Sequence, residues 1–128
     1  MVDIPYDKIP RPLKLIRWLG SSKKDLKSFP DEVQGDIGRA LMRAQFGGKD
    51  VDAKPWKGLG SGVMEIVNRF DSNTYRAVYT VNIGDVIYVL HSFQKKSKSG
   101  IGTPREEIEI ITARYKQAVA MSKKKEGV

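Results

Sequence analysis

The spacing of apolar positions changes period along this chain, and each change marks an element. Between Asp31 and about Phe46, Val33, Ile37, Ala40, Leu41 and Ala44 recur at helical spacing, so the segment predicts a helix with one apolar face. Gly47 and Gly48 stop it. From Val63 the period becomes two. The runs VMEIVNRF, YRAVYTVN and VIYVLHSF are rich in valine, isoleucine and aromatic residues, and the short turns DSNT and IGD divide them. That pattern predicts an antiparallel meander. Beyond a lysine- and serine-rich stretch, Thr103, Pro104 and Glu106 have capping-box spacing with proline at the first helical position. A helix is expected from there to about Ser122, with Ile108, Ile111, Tyr115 and Val119 facing the sheet.

The remaining segments give weaker patterns. Leu13 to Gly20 reads as a strand, and SSKKDLKSFP as a short helix capped by Ser22, with Asp25 in its first turn and Pro30 ending it. KDVDAKPWKGLGSG reads as a loop that carries Lys54, Lys57 and an exposed Trp56. Residues 1–12, with three prolines, are expected to be an extended arm, and 123–128 a frayed basic tail. The order of elements describes one α+β domain over 1–128, with helices on one sheet face and the other face open.

Alternation sorts the strand residues by face. Val63, Glu65, Val67 and Arg69 share one side of their strand, and Met64, Ile66 and Phe70 form the better core side. On the next strand Arg76 falls with Val78 and Thr80, opposite the more apolar Tyr75, Ala77, Tyr79 and Val81. His91 is expected on the side of Ile87, Val89 and Phe93. If the charged sides coincide, Glu65, Arg69 and Arg76 lie on one surface bordered by Lys54 and Lys57 before it and Lys95, Lys96 and Lys98 after it. Such a surface is a cationic cup holding one carboxylate and the chain's only histidine.

Composition narrows the chemistry. The 128 residues, 40% hydrophobic, suit a single domain with a modest core. Lys and Arg outnumber Asp and Glu by 23 to 15, a formal net charge of +8 that favours phosphates, nucleic acid or an acidic partner. The absence of cysteine excludes disulfides and thiolate metal sites, and one histidine argues against a zinc cluster. No apolar run approaches the roughly 20 residues of a membrane helix, and the opening MVDIPYDKIP lacks a secretory apolar core. A cytoplasmic protein with no membrane partner is expected.

The stretch DAKPWKGLGSGVMEIVNRFDSNTYRAVYTVNIGDVIYVLHSFQKKSKSGIGTPREEIEI resembles, in order, the phage-derived HigB-like branch of the RelE/ParE toxin superfamily. That branch shows a PLKGLG-type loop, a YRV/AVY strand and a VLHxFQKKS segment before a TP-initiated helix. The resemblance runs from about Leu13 to Ala120 and is strongest after Asp52. It implies a RelE-like fold, a twisted antiparallel sheet with two N-terminal helices and a C-terminal helix. It further implies a type II toxin, paired with a cognate helix-turn-helix antitoxin, that cleaves mRNA on the ribosome. By the family pattern Lys54 and Lys57 fall in the basic loop, Arg69 and Arg76 are the strand arginines, and Lys95 and Lys96 are the basic pair after the last strand. The loop after Lys96 has no tyrosine, where better-known relatives carry one beside the message, so base stacking would fall to Trp56 or Phe93.

Such a site needs no cofactor and no metal. RNA brings its own nucleophile, the 2′-hydroxyl, so a ribonuclease must deprotonate it, stabilise the phosphorane charge and protonate the 5′-oxygen. Arg69 and Arg76 suit charge stabilisation, Glu65 is a candidate base and His91 a candidate acid or base. A lysine crowded by other cations could replace either proton-transfer group. The same residues also fit plainer roles: a solvated turn for Lys95, Lys96 and Lys98, a packed His91, Trp56 as a lid over the core edge rather than a stacking platform, and cross-strand pairing among Glu65, Arg69 and Arg76. The alternative functions are a ParE-like toxin that binds DNA gyrase without cutting RNA, and an inactive relative that keeps only antitoxin binding.

Overall fold

The computed structural model describes residues 13–95 and 102–126. The predicted N-terminal arm, Lys96 and Lys98 lie outside these residues. In chain order the elements are β1 (Leu15–Trp18), α1 (Ser22–Lys27), α2 (Asp31–Gln45), β2 (Ala53–Pro55), β3 (Val63–Phe70), β4 (Asn73–Thr80), β5 (Val86–Lys95) and α3 (Arg105–Glu126). The five strands form one sheet in the order β1-β5-β4-β3-β2, antiparallel except for β1, which runs parallel to β5 with Leu15 opposite Val86.

The fold is α+β, as expected, but helices flank both faces of the sheet. On one face α1 and α2 bring Leu26, Val33, Ile37, Ala40, Leu41 and Ala44 onto Ile66, Ala77, Tyr79, Ile87 and Val89. On the other, Ile111 and Ala118 of α3 pack with Val63, Val78, Leu90 and Phe93. The expectation of a single covered face fails because the pleat gives both sides of β3, β4 and β5 apolar residues, and each set needs a cover.

Element limits shift where local signals compete. α1 starts at Ser22 and its cap is Ser21, whose hydroxyl donates to the Asp25 carboxylate and accepts from no backbone N–H of the helix. α3 begins at Arg105, with the Pro104 carbonyl accepting from Glu107 and Ile108, so the predicted cap at Thr103 is one residue early. Its end lies at Glu126, so the helix takes up much of the expected basic tail. Ile108 is exposed and Ala118 is buried, which rotates the covered stripe away from that predicted. The expected loop before β3 contains β2, a three-residue edge strand that tolerates Pro55 because nothing further pairs with it.

The largest departure is in β5. Tyr79 pairs with Val89 but Val78 pairs with His91, so β5 carries one extra residue at this point. A bulge of this kind reverses the facing of everything after it. Ile87 and Val89 therefore face α2, whereas His91 and Phe93 face α3, correcting the single side predicted for all four. Trp56 is buried in the core beneath α3, which excludes an exposed ring and fits a lid over the core edge.

Candidate functional site

Directly paired residues of antiparallel strands share a side of the sheet, so register alone assembles the α3 face. Lys54, Glu65, Val78 and His91 form one row across β2 to β5. Val67, Arg76 and Phe93 form the next, and Arg69, Thr74 and Lys95 the third. Strands stand about 4.8 Å apart, so side chains in adjacent positions are within mutual reach.

Glu65 lies at the centre of this charge. Its Oε2 accepts from Arg76 Nη1 at 2.9 Å and its Oε1 lies 3.5 Å from Lys54 Nζ. The glutamate and arginine side chains are only 8% and 14% exposed, whereas Lys54 is largely in solvent. Arg76 Nε is buried without a partner among the described residues. Arg69 is exposed on the wall of a polar hollow of about 550 Å³ shared with Asp36, Asp52, Lys54, Val67 and Asn68. Lys57 is exposed beside a second hollow of about 370 Å³, with Lys54, Trp56, Glu65 and Ile108. Lys95 is half-buried at the end of β5.

His91 is on this face but belongs to a different network. Arg114 Nη1 lies 3.2 Å from His91 Nδ1, and His91 Nε2 meets Glu107 Oε2. A guanidinium can only donate, so Nδ1 must be the acceptor and Nε2 must carry the proton that goes to Glu107. Arg114 also donates to the Leu90 carbonyl at 2.9 Å and to the Ser21 hydroxyl at 3.3 Å, and that hydroxyl donates to Asp25. One guanidinium thus supports two relays, each ending on a carboxylate. Both carboxylates line a third hollow, about 330 Å³, with His91, Ser92, Phe93 and Gln94.

The backbone makes room for this guanidinium. Gly20 has φ +51°, and a Cβ there would lie 2.5 Å from Arg114 Nη2. Phe93 lies against the imidazole, ring centres 5.1 Å apart and nearly parallel. With Phe93 committed to His91 and Trp56 packed in the core, neither ring is freely presented for base stacking.

The face thus brings Lys54, Glu65 and Arg76 into direct contact, sets Arg69 and Lys95 in the row beside them, and leaves Lys57 at the rim. His91 is separated from Glu65 by Val78. Sequence reasoning missed Glu107 and Arg114. A usable signal existed: they lie four before and three after Ile111, so they share its buried helical stripe, where charged residues need partners.

Residues 24–116 match the family described as phage derived protein Gp49-like. Among solved structures, the chain is similar to one chain of the toxin-antitoxin complex RelBE2 from Mycobacterium tuberculosis, at 16% identity and a TM-score of 0.41, over 66% of this chain and 93% of that one. No curated protein matches the chain. None of the described helices is long and apolar enough to cross a membrane.

Proposed function

Because the chain belongs to the phage-derived Gp49-like family, we propose that it is the toxin of a toxin–antitoxin pair and an endoribonuclease that cuts mRNA on the ribosome. The observation that carries this reading is the shared face. Lys54, Arg69, Arg76 and Lys95 come from four different strands and lie together on one side of the sheet. A ribose-phosphate strand laid across those rows meets a cation at each strand.

Arg76 is the group best placed to stabilise phosphorane charge, since Glu65 fixes its orientation before RNA arrives. Preorganised donors of this kind lose little to reorganisation during reaction. Arg69 and the lysines hold the backbone, and the ribosome supplies alignment of the 2′-oxygen, phosphorus and 5′-oxygen. The same cationic face offers an antitoxin with an acidic segment an electrostatic mate.

The test is cleavage of a message on programmed ribosomes by the purified chain and by Arg76→Ala. Cleavage by the parent and not by the variant supports the reading. An intact message together with inhibited gyrase supertwisting would replace it with the ParE-like alternative.

A further inference from the structure

We infer that Glu107 of α3 is the proton acceptor for the attacking 2′-hydroxyl, with His91 and Arg114 as its positioning residues, an inference that rests on the RNA-cleaving reading above. Glu65, His91 and Glu107 are the proton-accepting groups that bond directly to Arg76 or to the His91–Arg114 pair on the α3 side of the sheet. Glu65 has Arg76 on one oxygen and Lys54 beside the other, and its side chain is 8% exposed. His91 has both ring nitrogens engaged and a side chain 6% exposed. Glu107 is 26% exposed, its Oε2 accepts a hydrogen bond from His91 Nε2–H, and no described residue donates to its Oε1. Of these three, only Glu107 joins solvent access to an uncommitted lone pair.

Its position suits the role. Arg76 stands in its row between Val67, which lines the hollow containing Arg69, and Phe93, which lines the hollow containing Glu107. A phosphate held at Arg76 therefore has one hollow on each side for the flanking nucleotides. In the reaction Glu107 Oε1 takes the 2′-hydroxyl proton, the O2′–P bond forms and the P–O5′ bond breaks. The 5′-oxygen takes a proton from water, and Glu107 later returns its own proton to water. The products are a 2′,3′-cyclic phosphate and a 5′-hydroxyl. Throughout, His91 Nε2–H stays on Oε2, because Arg114 holds the other nitrogen as an acceptor. The carboxylate is thus aimed by a fixed donor and does not have to reorient as it is protonated.

The experiment measures single-turnover cleavage on programmed ribosomes by the full chain, Glu107→Gln, Glu107→Ala and Arg76→Ala. Glu107→Gln keeps an oxygen acceptor for His91, so its melting temperature should stay near that of the parent. Its cleavage rate should fall by about 100-fold or more, as expected for loss of a general base, with RNA affinity nearly unchanged. Formate added to Glu107→Ala should restore part of the rate in proportion to its concentration, a response that a purely structural role would not give. Parent-like cleavage by Glu107→Gln, or a slow Glu107→Ala that formate does not rescue, overturns the assignment while the nuclease reading stands on the Arg76→Ala result. Failure of the parent itself to cut overturns both.

Discussion

Arg76 Nη1 lies 2.9 Å from Glu65 Oε2 across β4 and β3, and the pair is diagonal, since Glu65 is opposite Val78 and Arg76 opposite Val67. Both groups are mostly buried, so the pair is costly to break and much cheaper to replace as a unit. Glu65→Ala strands a cation and should lower stability by about 3 kcal/mol. The double change Glu65→Leu with Arg76→Met should recover most of that loss. Urea denaturation of the three proteins checks the order, and a Glu65→Ala protein as stable as the parent would contradict it.

Arg69, by contrast, is exposed and takes no part in that pair. Arg69→Ala should leave stability within about 0.5 kcal/mol of the parent. If the guanidinium contacts one phosphate, the slope of log affinity against log salt for single-stranded RNA should become shallower by about 0.7. An unchanged slope removes Arg69 from the RNA path.

Two glycines should respond to alanine in opposite directions. At Gly20 the φ of +51° and the nearby Arg114 guanidinium both oppose a side chain, so Gly20→Ala should destabilise by about 1–3 kcal/mol and loosen α3. Gly38 lies within α2 with open space around its Cβ position, and Gly38→Ala should stabilise by about 1 kcal/mol. Thermal melting of the pair gives both signs.

Tyr79 is held in the core against α2, and burial, aided by the Asp50 charge, pushes its phenol up to about 12 from an ordinary 10. Between pH 10 and 12 the unfolded chain gives up this proton while the folded chain keeps it. Stability is therefore intact below pH 10 and falls through that window, by about 2–3 kcal/mol from this group. Tyr79→Phe should show a correspondingly smaller decline when stability is measured at pH 9, 10 and 11.

Much of this arrangement could be read from residue order, and the exceptions have physical causes. The faces of β3 and β4 were legible because Glu65, Arg69 and Arg76 interrupt apolar runs and set the phase. In β5 every residue from Val86 to Leu90 is apolar, so no polar position reveals where the extra residue enters, and His91 is assigned to the wrong side. β2 was hidden by its proline and neighbouring glycines, which signal a loop even where an edge strand tolerates them. The Arg114 relays depend on long-range packing of α1, β5 and α3, which helical spacing on α3 could only hint at.

The parallel pairing of β1 with β5 also bears on how the chain matures. Leu15 is made about seventy residues before Val86, its partner, so β1 leaves the ribosome long before the strand that holds it exists. Closing so large a loop is slow compared with forming a helix or a neighbouring hairpin. β5, which supplies Phe93 and Lys95 to the basic rows, is also the last strand to be synthesised. A nascent chain therefore lacks its finished basic surface until β5 has been made.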